Sequence, residues 1–292
     1  MRIRRRGDRR YQAVLNALPV AARRHVLYAK HHRRLLRLGE PRRFSEKVNW
    51  RIVRDRRDVL AWTCDKLRMK ETASRRGARV PRTYWTGCRL DGLARVELPD
   101  RWVLKPNHRT GLVHVGHGTP DIEVLRGVTA GWLDESQWTV YGEWAYGQAR
   151  QVFLVEEWIG DAGRCPPDYK VFVFDGVPTV IQVDRDRFGE HTRRFYRNDW
   201  APLDVVYTFP LAALEPPPAH LPEMLRVARQ LGVGLDFIRV DLYVRAEEIF
   251  LGEVTPYPGG GLEVFRPDAL DHELGQRWCL PDLANMSGTG SS

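Results

Sequence analysis

The sequence predicts an α+β fold, with helices gathered in its first quarter and antiparallel hairpins in its second half. Apolar residues recur at helical spacing through residues 11–38 and again through "CDKLRMKETASRRG" (64–77). Two alternating stretches, "DYKVFVFDGVPTVIQVDRDRF" (168–188) and "LDFIRVDLYVRAEEIFLGEV" (235–254), read as hairpins. No apolar run approaches the roughly 18 residues of a membrane-crossing helix.

Taken in order, "YQAVLNAL" (11–18) and "HVLYAKHHRRLLRLG" (25–39) are helical, with Gly39 as a natural stop. Ser45 is placed to cap a helix beginning "EKVNW". Asp65 opens the next helix and Gly77 ends it. "ARVPRTYW" (78–85) is extended, and "LPDRWVLKPNH" (98–108) is a strand ending at Lys105, with Pro106 directly after. Residues 119–146 are mixed. "QVFLVEEWI" (151–159) is a nearly continuous apolar strand with two acids near its end. Asp175-Gly176 marks the first hairpin turn. A connector, "LEPPPAHLP", leads into an amphipathic helix with Met224, Val227, Ala228 and Leu231 on one stripe. The tail ending "MSGTGSS" is predicted to be disordered.

The net charge of +9 is unevenly placed. Residues 1–57 hold 17 arginines and two lysines against Asp8, Glu40, Glu46 and Asp55, a net of +15, so the rest carries −6. Such a segment usually meets an anionic partner: nucleic acid, a phosphorylated carrier, an acidic polymer or a membrane surface. The alternative is a solvated arginine-rich face. Four cysteines, with no CxxC pair, point to a reducing cytoplasm rather than a disulfide framework. Only six lysines occur, at 30, 47, 66, 70, 105 and 170. A compact ammonium does things that a planar guanidinium cannot, so each lysine is a candidate.

The last hairpin carries the chemistry. In "FIRVDLYV" the even positions Ile238, Val240, Leu242 and Val244 are apolar, and Arg239, Asp241 and Tyr243 face the other way. A three-residue loop, Ala246-Glu247-Glu248, sets Tyr243 opposite Leu251 and Asp241 opposite Glu253. Opposed side chains have Cβ atoms roughly 5 Å apart. Two carboxylates so close repel, and a hard divalent cation removes the repulsion. "TPYPGGG" (255–261) follows, a loop bare enough for a ligand to approach its backbone. The alternative is a surface hairpin in which Asp241 pairs with Arg239 or a neighbour. Lys105 before "PNHRTGLVHVGHG" suits phosphate, although no P-loop is present. Lys170, among aromatics, needs an anionic partner, and Asp168 is the nearest.

In order, "RRFSEKVNW", "CDKLRMKE", "LPDRWVLKPNH", "LVEEWI", "DYKVFVFDG", "RVDLYV" and "GEVTPYPGGG" resemble the ATP-grasp superfamily. More narrowly they resemble the TupA-like ATP-grasp family, associated with envelope polysaccharide biosynthesis, over about residues 40–280. The resemblance implies an ATP-grasp fold with two α+β subdomains clamping ATP, at 61–155 and 156–282. An arginine-rich helical segment (1–60) precedes them and a disordered tail (283–292) follows. Lys66 and Lys105 would contact the nucleotide phosphates. Glu156, Glu157, Trp158 and Ile159 would form the adenine hinge, and Asp161 would reach the ribose. Asp241 and Glu253 would hold Mg²⁺, with Thr255 at a third ligand position where the superfamily commonly has asparagine. Lys170, Arg187 and Arg239 would line the phosphate and acyl side. The loop "NHRTGL" is poorer in glycine than is usual in the narrower family.

The implied activity is that of an ATP-dependent carboxylate–amine ligase, passing through an acyl phosphate and releasing ADP and phosphate. Its carboxylate and amine substrates would belong to an envelope polymer, an anionic or carrier-linked molecule, or a natural product. Two alternatives differ in class: a phosphotransferase acting on a sugar or carrier, and an arginine-armed binder of nucleic acid or acidic polymer with a degenerate ATP site.

Overall fold

A computed structural model describes residues 15–134, 137–160, 166–186 and 189–283. Asp161, Arg187, the arginines of residues 2–10 and the tail beyond 283 lie outside the described residues. The helices are α1 (Val20–His32), α2 (Phe44–Arg54), α3 (Ala61–Cys64), α4 (Lys66–Arg75), α5 (Ile122–Val128), α6 (Gln137–Tyr141), α7 (Trp144–Gly147), α8 (Leu221–Gly232) and α9 (Ala269–Arg277). A small antiparallel sheet runs β1 (Thr83–Gly87), β4 (Phe153–Glu157), β2 (Arg101–Pro106), β3 (His114–His117). A larger one runs β11 (Glu248–Thr255), β10 (Phe237–Arg245), β5 (Asp168–Phe174), β6 (Val177–Arg185), β7 (Thr192–Arg197), β8 (Pro202–Leu203). A third pairs β9 (Val206–Tyr207) with β12 (Phe265–Arg266).

The small sheet has its own core of Leu90, Leu93, Trp102, Leu104, Leu125, Trp132, Phe153 and Val155. On β2 the alternation sends Trp102 and Leu104 into that core and leaves Val103 and Lys105 on the other face. The large sheet packs with α2, α3, α4 and α8 in one core. The expected boundary at 60/61 therefore runs between helices that share a core. Met69 of α4 accepts the Val254 N–H of β11 at 3.2 Å, while Lys70 of the same helix reaches Glu156 of the small sheet at 2.9 Å. Helix α4 thus ties the two sheets together.

One face of the large sheet has two characters. Phe172, Phe174 and Phe237 lie under Phe44 of α2 and Trp278, with ring centroids 4.6–6.3 Å apart. Pleating puts Arg239, Asp241, Lys170 and Asp168 on that same face. It is aromatic where α2 covers it and charged where it is left open.

Both hairpins form. Asp175 (φ 49°) and Gly176 (φ 74°) make the expected two-residue turn. The second turn is also two residues long, Ala246 (φ 45°) and Glu247 (φ 69°), rather than three. Arg245 pairs with Glu248, Tyr243 with Phe250, and Leu242 with Leu251. A bulge at Gly252 then restores Asp241 opposite Glu253. The shorter turn and the extra residue cancel, so the expected carboxylate pair survives although Leu251 changes face into the core. A Cβ on Gly252 would lie 2.4 Å from the Tyr243 ring, which is why the bulge residue is glycine.

Three local expectations are corrected. Helix α1 ends in a left-handed Arg33 (φ 56°), not at Gly39. Ser45 lies within α2 and bonds Asp271 through its N–H and hydroxyl, both at 2.8 Å, while the Glu46 carboxylate accepts the Arg42 and Arg43 N–H groups. The glycines at 259–261 all have positive φ. They serve the protein as much as any ligand, because Gly261 accepts from Asn49 and His32 and a Cβ there would lie 2.5 Å from Asn49.

Several arginines of the basic segment are internal ties. Arg23 is buried and donates to the carbonyls of Asn16, Leu18, Thr139 and Val140. Arg51 pairs with Asp55 and Asp236 and lies 4.4 Å over Trp278. Arg57 pairs with the same two acids. Among the described residues, no helix is long and apolar enough to cross a membrane.

Candidate active site

A cavity of about 1200 Å³ opens between the two sheets. Lys66, Lys105, Lys170, Arg239, Asp241, Glu253 and Thr255 all line it, as do residues 156–159. Residues far apart in sequence are thus brought to one space.

On the small-sheet side the Glu156 carboxylate is buried and carries two lysines. Lys105 pairs with its Oε1, and Lys70 with its Oε2 at 2.9 Å. Lys70 also donates to Thr83 at 2.7 Å. Burial would raise the Glu156 pKa, but the two ammonium groups hold it below its ordinary value. Glu156, expected at a nucleotide hinge, therefore acts through its side chain as an anchor for cations. Lys66 is buried and reaches the carbonyls of Arg109 at 2.5 Å and Asn107 at 3.3 Å. Burial depresses its pKa to about 8. Asp65 caps α4 through Leu67 and Arg68 N–H groups and also accepts from Arg150, which fixes the helix start beneath Lys66.

The strand after Glu156 is held by one arginine. Arg245 donates to the Trp158 carbonyl at 3.1 Å and to Glu157 Oε1 at 2.7 Å. Glu157 also accepts the Arg82 N–H. The Trp158 indole N–H is buried with no hydrogen-bond partner among the described residues.

On the large-sheet side charges interlock. Asp241 accepts two bonds from Arg239, both 2.7 Å, and lies 3.2 Å from Lys170. Lys170 also pairs with Asp168, the partner expected from sequence, and lies 3.7 Å from Asp184. Arg193 grips Asp184 at 2.5 and 3.0 Å. Burial would raise the Asp241 pKa, but Arg239 and Lys170 reverse this and hold the carboxyl low. Burial would lower that of Arg239, but Asp241 raises it. The alternative pairing of Asp241 with Arg239 is thus present, but inside a buried network rather than on a surface hairpin. Glu253 is less engaged, accepting from the Tyr146 hydroxyl at 3.5 Å. Thr255 Oγ1 lies 3.4 Å from Arg239.

These oxygens can be tested as a cation site. Two carboxylates and a hydroxyl are hard donors, and Glu253 has lone pairs to spare. Among the described residues no group of three His, Cys, Asp or Glu side chains could enclose a metal. The donor set fits Mg²⁺ that brings phosphate oxygens and water with it, not a cation caged by protein alone.

Sequence reasoning gave Lys70, one of the six candidate lysines, no role at the site, and missed Arg193, Asp184 and Arg245. Lys70 stands four residues after Lys66, one turn along the same helix, a spacing that could have marked it. The other three carry no local signal, since their partners lie on neighbouring strands or the other sheet.

The TupA-like ATPgrasp family model matches residues 46–279. Among solved structures, D-alanine–D-alanine ligase from Bacillus anthracis in complex with ATP is similar with a TM-score of 0.40 and 17% identity, over 68% of this chain and 55% of that one. The corresponding ligase from Helicobacter pylori gives 0.43 and 17%, over 75% and 59%. The ATP-grasp ligase PsnB, complexed with a phosphomimetic precursor variant, Mg and ADP, gives 0.38 and 12%, over 68% and 52%. The chain spans less than two thirds of each of these neighbours. Among curated proteins no sequence matches it.

Proposed function

The chain belongs to the TupA-like ATP-grasp family, and from that premise we propose that it is an ATP-dependent carboxylate–amine ligase. The observation that carries this is the facing of Lys66 and Lys105 with Asp241 and Glu253 across one cavity. In this proposal Lys66 and Lys105 neutralise the nucleotide phosphates. Backbone groups of residues 156–159, braced by Arg245, receive the adenine, and Asp161 serves the ribose. Asp241, Glu253 and Thr255 hold Mg²⁺, which when bound would offset charge on the phosphate oxygens. Arg239 and Lys170, with Arg187, steady the transferring group. A carboxylate oxygen of the substrate attacks the γ phosphorus and ADP leaves. An amine then attacks the acyl carbon and phosphate leaves, forming the amide. Positioning and charge neutralisation are the main levers for such transfer.

The test is isotopic. With ¹⁸O in the carboxylate of a substrate found by screening acid and amine pairs, one label should appear in the released phosphate, together with ADP. Label in AMP, with pyrophosphate released, would replace the ligase by an adenylating enzyme. A stable phosphorylated product formed without amide would replace it by a phosphotransferase. The association with envelope polymers comes from the family, and an acceptor in natural-product assembly meets the same chemistry.

A further inference from the structure

Resting on that ligase proposal, we propose that Glu143 is the docking point for the amine substrate in its ammonium form, which passes one proton to the Glu143 carboxylate before the free amine attacks the acyl carbon. Glu143 is 8% exposed and lines the cavity. It stands at the N-cap of α7, yet its side chain makes no cap bond there. Among the described residues no hydrogen-bond or ion-pair partner reaches its carboxylate. Arg24, the cation that most affects it, directs its own donors to Asn49 Oδ1 and to the carbonyls of Gly260 and Tyr141. The carboxylate thus opens on the cavity with Arg24 acting on it only from a distance, so a ligand cation can still gain by pairing with it.

The surroundings choose the ligand. Oε1 of Glu143 lies 3.1 Å from where a Cβ on Gly260 would stand, so glycine leaves room at the carboxylate. Tyr146, one turn further along the chain, donates to Glu253, which places the dock beside the cation side of the cavity. A divalent ion is disfavoured at Glu143, because a single carboxylate beside Arg24 is too poor a donor set. A monovalent ammonium needs one carboxylate and no more. Burial pushes the Glu143 carboxyl up to about 7, against the pull of Arg24 and with the help of Glu253.

Thermal unfolding of the full chain at pH 8, titrated with ethylammonium chloride against sodium chloride at equal ionic strength, tests this. The wild type should show a saturable rise in Tm with ethylammonium alone, and Glu143→Gln should weaken that response at least tenfold. Without ligand, Glu143→Gln should melt higher than the wild type at this pH, since burial outweighs Arg24 and makes the ionised carboxylate a net cost to the fold. A variant that melts lower and responds to ethylammonium as the wild type does would overturn the dock, leaving a structural glutamate. ADP–Mg²⁺ binding on the same two proteins separates this from the ligase proposal. It should be equal in both, and its absence from the wild type would sink the ligase while the loss of the ammonium response in Glu143→Gln would still uphold a cation dock.

Discussion

The two charged groups that face each other across the cavity are built to opposite rules. Around Glu156 the small sheet and α4 gather Lys66, Lys70 and Lys105, three cations to one acid. Around Lys170 the large sheet sets Asp168, Asp184 and Asp241 against Lys170, Arg193 and Arg239, and Glu253 adds a further acid beside them. One side keeps an excess of positive charge and the other a slight excess of negative charge. In a low-dielectric interior a residual charge is expensive unless a ligand answers it. The difference favours an anion beside the lysines and a cation beside Asp241 and Glu253, which is the arrangement the proposed ligase requires of its phosphates and metal.

The comparison breaks most visibly at its acidic side. Asp241→Asn and Glu253→Gln should each lower substrate-dependent ADP release by on the order of 10³-fold, the scale of a lost positioned charge. They should part in stability. Asp241→Asn strips Arg239 and Lys170 of a buried partner and should cost about 3–5 kcal/mol in denaturant unfolding. Glu253→Gln disturbs one long contact and should change stability by about 0.5 kcal/mol or less. Near-normal turnover in either variant would remove the metal assignment, and equal stability losses would contradict the asymmetry in their bonding.

On the basic side, Lys105→Ala should reduce kcat by on the order of 10²–10³. Glu156 would stay paired, because Lys70 remains 2.9 Å away. Lys105→Arg should not restore full activity, since a planar fork cannot occupy the position of a point charge. Full rescue by arginine would make Lys105 a generic surface charge.

A smaller effect is expected at the brace between the two sides. Arg245→Ala frees the Trp158 carbonyl and Glu157 together. Hydrogen bonds to charged groups contribute roughly 1.5–3 kcal/mol, and Arg245 is partly exposed, so about a tenfold rise in the Kd for ATP is expected by calorimetry. An unchanged Kd would mean that the hinge holds its shape without the arginine.

The smallest effect is a pH trend. Burial sets the Lys66 pKa at about 8, below its unfolded value, so the folded protein binds fewer protons than the unfolded chain between about 8 and the ordinary lysine value of 10.5. Lys66 therefore makes stability rise with pH in that window, while its lost charge makes nucleotide affinity fall as pH rises through 8. Replacing it with methionine should flatten both trends. A pH-independent affinity from 7 to 9.5 in the wild type would show that Lys66 does not neutralise phosphate.

Much of the carboxylate site was legible because a strand has a period of two. Ile238, Val240 and Leu242 alternate with Arg239, Asp241 and Tyr243, and that pattern alone separates core from cavity. The turn was misjudged because Ala246-Glu247 lacks the Asn-Gly or Asp-Gly signature of a two-residue turn with positive φ. The bulge at Gly252 was hidden because a lone glycine in a strand does not say whether it is paired or extra. The basic N-terminal segment was misleading in part, since composition counts Arg23, Arg51 and Arg57 as surface charge while the fold uses them as buried ties.

By itself, the sequence determined the order of helices and hairpins, the faces of β10 and the set of motifs that marks the family, because each is written in spacing over a few residues. Tertiary structure alone decided that Glu156 anchors two lysines, that Lys170 lies among three aspartates, that Arg245 braces the strand end after Glu156 and that Glu143 is buried with no partner among the described residues. Those facts depend on which charges meet after long loops close, and on how much water is excluded when they do. Neither quantity is local, so no periodicity records it.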